Sequence, residues 1–104
     1  MVDENQTGIF TIIFLPKKIF GQWMARKATI VADRKSYTTK FGKRVEFQLN
    51  SGTKTLYMYA NYMGETCQLK VTRNFETGKK YLVRYRISLF VFMNGKAKIE
   101  EVSP

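Results

Sequence analysis

Two tyrosines at alternate positions, Tyr57 and Tyr59, stand between Gly52 and Gly64 in the stretch "SGTKTLYMYANYMGETCQLKV". Rings at i and i+2 share one face of a strand, where each can stack on a base for about 1–3 kcal/mol while neighbouring cations follow the phosphates. Lys70, Arg84 and Arg86 occupy alternate positions in the strand-forming stretches that follow, so Tyr57, Tyr59, Lys70, Arg84 and Arg86 form a candidate surface for single-stranded nucleic acid. The same residue types are also ordinary outward positions of a half-exposed sheet, where Tyr/Arg packing stabilises the strands with no ligand present.

A second candidate lies in "PKKIFGQWMARK", where Lys17, Lys18, Arg26 and Lys27 bracket Phe20 and Trp23. Cations flanking apolar rings suit contact with an anionic bilayer surface or a partner protein. The alternative is that Ile19, Phe20 and Trp23 fold back and cap an apolar core.

Other chemistries are poorly supplied. Histidine is absent and Cys67 is the single cysteine, which excludes a Cys/His zinc set, a His-based triad and an internal disulfide. Cys67 stands in an apolar alternation and is expected to be a buried core residue. The interior carboxylates, Asp33, Glu46, Glu65 and Glu76, fall at turns or outward positions beside Lys or Arg, and they are too sparse for a Ca²⁺ or Mg²⁺ cage. A non-enzymatic chain without a metal or cofactor is expected.

Charge points the same way. Lys and Arg number 18 against 8 Asp and Glu, and between residues 5 and 99 only 4 of those acids remain. Such a field attracts phosphates, anionic lipid or acidic protein without choosing among them. With 104 residues, 44% of them hydrophobic, the chain can build one real core. The acidic start "MVDENQTG" followed by a largely apolar run of only seven residues, 9–15, lacks the pattern of a secretory signal, and a cytoplasmic location is the default expectation.

The elements that must position these residues read as strands. Residues 8–16 are almost wholly apolar and end at Pro16, as in a strand covered on both faces. Residues 28–33, 36–41 and 44–49 read as a meander, and the turn at residues 50–52 leads into a strand from residue 53. Residues 66–75 and 81–93 follow, then the pair Asn94–Gly95, a strong two-residue hairpin signal, and a polar edge strand over residues 96–102. Taking the strands after residue 51 as consecutive antiparallel neighbours puts Leu56, Met58, Cys67, Leu69, Val71, Val83, Tyr85 and Ile87 in the core. The candidate tyrosines and arginines then share the opposite face. The expected fold is all-β, an antiparallel β-sandwich of seven or eight strands spanning residues 9–102 as one domain, with residues 1–8 frayed.

From residue 28 to residue 85, "ATIVADRKSYTTKFGKRVEFQLNSGTKTLYMYA" followed by "FETGKKYLVRY" resembles the small bacterial β-sandwich domains of the PEGA-like kind. Those domains run as a strand, a tight Asp-Gly-Lys-type turn, two strands, a Pro-Gly turn and a rising strand, with a later Gly-Lys-x-Tyr strand entry. Asp33-Arg34-Lys35 stands here at the first turn and Asn50-Ser51-Gly52 at the second. The resemblance implies a non-catalytic module and supplies no catalytic residues.

Overall fold

The computed structural model describes residues 8–17, 26–61, 64–87 and 94–102. They form eight strands and, among the described residues, no helix: β1 (Ile9–Lys17), β2 (Lys27–Ala32), β3 (Lys35–Lys40), β4 (Val45–Asn50), β5 (Gly52–Asn61), β6 (Glu65–Phe75), β7 (Lys80–Arg86) and β8 (Lys96–Val102). The first sheet has the order β4-β1-β7-β8 and the second β3-β2-β5-β6, four strands each.

The apolar run of β1 explains its place. It lies between β4, antiparallel, and β7, parallel, in register from Thr11 beside Lys80 to Lys17 beside Arg86. This parallel pair departs from the all-antiparallel expectation. The expected cover on both faces holds only in part: Phe10, Ile12 and Phe14 are buried on the core side, whereas on the other side Ile13 is buried, Thr11 and Leu15 are half-buried and Ile9 is exposed.

The expected meander over residues 28–49 is broken after β3. β2 and β3 form a hairpin, but β4 leaves for the first sheet, where it pairs with β1. Two backbone hydrogen bonds hold the crossing, from Phe41 N to Arg26 O (3.1 Å) and from Gly42 N to Pro16 O (2.8 Å). Gly42 has φ 86°, a conformation favourable to glycine. The turn at residues 50–52 is likewise a crossing, since β4 and β5 lie in different sheets, and Ser51 is tied to Gly8 O through its N–H (3.0 Å).

The β5–β6 hairpin forms as expected, with one irregularity. Its register shifts between Met58 and Ala60, so that Tyr59 faces two residues, Cys67 and Gln68, and Cys67 takes φ 52°. A bulge of this kind adds one residue and increases local twist. Beyond it Leu69 and Val71, expected in the core, are half-buried at its margin, because β6 is an edge strand.

The last hairpin also differs from expectation. A two-residue turn at Asn94–Gly95 would set Lys96 opposite Met93; the register sets it opposite Arg86. Residues 88–93, most of the apolar second half of the expected strand 81–93, lie outside the described residues, as do residues 1–7 of the expected frayed start.

One apolar cluster draws on both sheets: Phe10, Phe14, Phe47, Tyr81, Val83 and Tyr85 from the first, Ile30, Leu56, Met58 and Phe75 from the second. Phe10 and Phe75 stack across it with centroids 4.6 Å apart, and Tyr37 and Phe47 stack at 3.8 Å where β3 passes β4.

Candidate anion-binding face

Alternation along β7 buries Tyr81, Val83 and Tyr85 and turns Arg84 and Arg86 outward. In β5 the same alternation buries Leu56, Met58 and Ala60 and turns Tyr57 and Tyr59 outward, but from the other sheet. The five residues read as one nucleic-acid surface therefore divide. Tyr57, Tyr59 and Lys70 share the outer face of the second sheet; Arg84 and Arg86 lie on the outer face of the first. The premise that failed is the pairing of β6 with β7, which instead sits between β1 and β8.

The tyrosine group is tied together internally. Tyr57 Oη donates to Glu65 Oε1 at 2.7 Å, the two rings tilt at 50° with centroids 5.4 Å apart, and Lys70 Nζ lies 5.9 Å from the Tyr57 ring centre. Both rings are half-buried. Removal from water, then the hydrogen bond to Glu65, pushes the Tyr57 phenol up to about 12. Beside them Thr29 is buried, and its hydroxyl donates to Asn61 Oδ1 at 2.8 Å.

The first sheet gathers more charge. Its register sets Lys17, Arg86 and Lys96 side by side on β1, β7 and β8, with Leu15, Arg84 and Lys98 forming the next row on the same face. Adjacent strands lie about 4.8 Å apart, so three cations leave the backbone at that spacing. Lys17, Arg84, Arg86, Lys96 and Lys98, with Ala97, line an open concavity of about 430 Å³. Two of these cations have a carboxylate beside them: Glu100 Oε1 lies 3.4 Å from Arg84 Nη2, and its other oxygen 3.5 Å from Lys98 Nζ. Among the described residues no carboxylate lies within 4 Å of the Lys17–Arg86–Lys96 row.

Lys17, Arg84 and Arg86 were legible as candidates in the sequence; Lys96 and Lys98 were not. The signal that could have found them is the i, i+2 spacing of basic residues on both arms of a hairpin, which stacks four cations on one face. Of the second candidate set, Lys17 joins this face and Lys27 stands opposite Lys40 on β3. Arg26 is exposed just before β2, and Lys18, Phe20 and Trp23 lie outside the described residues.

Among the described residues no three acidic or sulfur side chains converge, and no helix is long and apolar enough to cross a membrane. Cys67 is buried in the bulge. No protein-family model matches the chain, and no curated protein matches it. The face must be read from its own geometry: it can neutralise several negative oxygens at once, and the Glu100 carboxylate beside it is held against Arg84 and Lys98.

Proposed function

We propose that this chain is a non-catalytic binding module, a two-sheet β-sandwich of the PEGA-like kind, that captures an anionic partner on the outer face of its first sheet. The observation that carries this reading is the cation row Lys17–Arg86–Lys96 across three neighbouring strands with no carboxylate beside it among the described residues. Like charges placed directly opposite one another destabilise a sheet. A bound anion offsets that repulsion, and multiple charge-assisted hydrogen bonds add to the gain.

A single-stranded oligonucleotide serves as a model polyanion for the test. Arg86→Gln/Lys96→Gln should lower the slope of log affinity against log salt by about 0.7 per cation. Arg34→Gln/Lys35→Gln, a site distant from the row, should change it little. The stacking alternative is checked in the same titration: if Tyr57 and Tyr59 hold bases, alanine at either costs about 1–3 kcal/mol at unchanged slope. Equal slope losses at both charge sites would refute a localised binding face.

A further inference from the structure

The cations at the two ends of the molecule are treated differently. At the end where β7 begins and β2 finishes, acids are close by: Lys54 meets Asp33 at 2.8 Å, Lys79 meets Glu101 at 3.1 Å and Lys80 meets Glu46 at 3.9 Å. At the other end stands the Lys17–Arg86–Lys96 row and, on the opposite side of the core, a second basic concavity of about 460 Å³ lined by Lys27, Lys40, Lys43, Thr38 and Thr39. Lys27 and Lys40 face each other directly across β2 and β3. The crossing that bonds Gly42 N to Pro16 O brings these two clusters to one rim.

Clusters on opposite faces that meet at one end suit a broad anionic plane rather than a small ion. A single nucleic-acid strand would call instead on exposed rings, and Tyr57 and Tyr59 are half-buried, with Tyr57 Oη engaged by Glu65.

We propose that this end docks onto an anionic lipid bilayer, with Lys17, Arg86 and Lys96 on one face and Lys27, Lys40 and Lys43 on the other meeting headgroup phosphates. The inference rests on the anion-binding reading of the first sheet and extends it to a second cluster and a particular partner. Binding should weaken with salt, since juxtamembrane cations act within a Debye length of the surface.

The experiment is cosedimentation of the full chain with phosphatidylcholine vesicles, with and without phosphatidylglycerol, alongside the oligonucleotide titration. The chain should sediment only with the phosphatidylglycerol vesicles. Each cation removed should weaken binding about fivefold, so that Arg86→Gln/Lys96→Gln and Lys40→Gln/Lys43→Gln each lose about 25-fold. Arg34→Gln/Lys35→Gln should stay close to the parent. Melting curves identify variants whose loss comes from unfolding. Loss in the first pair alone would overturn end-on docking, as would equal loss in the far-end control. Oligonucleotide binding that needs Arg86 and Lys96, without vesicle binding, would overturn the membrane inference and leave the anion-binding face standing; binding to neither would overturn both.

Discussion

Tyr85 Oη donates a hydrogen bond to Cys67 O at 2.5 Å, tying the inner side of β7 to the bulge in β6 and so joining the two sheets inside the core. The bulge presents that carbonyl inward because Cys67 takes φ 52°. Tyr85→Phe keeps the ring and removes the bond, and should cost about 0.5–1.5 kcal/mol in urea unfolding. Burial holds the Tyr85 phenol above the ordinary tyrosine value, since the phenolate would lack water. In the unfolded chain the phenol titrates near pH 10, so above that pH the unfolded state releases a proton that the folded state retains. Stability from this group is therefore complete below about pH 10 and is lost as pH rises through the folded value. Tyr85→Phe should flatten that alkaline decline; an identical pH profile in parent and variant would show that other groups cause it.

Gly95 leans on the same pair. A Cβ there would come within 2.6 Å of Cys67 O and 2.6 Å of Tyr85 Cε1. One contact is backbone and the other belongs to a ring packed in the core, so neither yields easily. Gly95→Ala should destabilise by about 1–3 kcal/mol, as overpacking does. It should also speed reaction of the buried Cys67 with a thiol reagent, because it forces β8 away from β6. Unchanged melting and labelling would show that residues 94–95 can shift without disturbing the bulge.

Period-2 alternation made most of the fold legible. It placed Leu56, Met58, Val83 and Tyr85 inward and Tyr57, Arg84 and Arg86 outward, and the structure agrees on each. It could not say which strand neighbours which. Gly42 lies between the expected strands 36–41 and 44–49 and Ser51 in an expected turn, and a connection that reverses within a sheet looks in sequence like one that crosses to the other sheet. That ambiguity assigned β7 to the tyrosine face and concealed its pairing with β1. The bulge at Cys67 was equally invisible, since cysteine gives no sign of a positive φ. The charge row was half legible, because its members come from β1, β7 and β8, which are distant in sequence and meet only through the parallel pairing.

The β2–β3 hairpin offers a stabilising substitution. Its two turn residues, Asp33 and Arg34, have φ 49° and 67°, the signature of a type I′ turn, whose second position favours glycine. Asp33 is anchored, since its Oδ2 accepts from Lys54 Nζ at 2.8 Å. Arg34 is exposed, and a non-glycine residue in this region costs about 1–2 kcal/mol. Part of that gain is offset by the greater freedom of glycine in the unfolded chain. Arg34→Gly should therefore raise stability by about 0.5–1 kcal/mol, and a lowered melting temperature would show that the arginine makes a compensating contact.

Arg86 has a cation on either side, Lys17 in parallel register and Lys96 in antiparallel register. Unit charges about 6 Å apart in water repel by roughly 0.7 kcal/mol, and salt shortens the screening length from about 10 Å at 0.1 M to about 3 Å at 1 M. Arg86→Gln keeps a polar side chain of similar reach and removes the central charge, so at low ionic strength it should stabilise the fold by about 0.5–1 kcal/mol. The gain should fade as sodium chloride is added, because screening then does for the parent what the substitution did. Phosphate should act differently from chloride: by occupying the face it should stabilise the parent at concentrations too low to screen, and stabilise Arg86→Gln less. A binding face maintained at a cost to stability shows this pairing, in which the variant is more stable alone and less responsive to the anion. Should Arg86→Gln instead destabilise at every salt concentration, the arginine stem is packing the sheet, and the row would lose its claim to be held for a ligand.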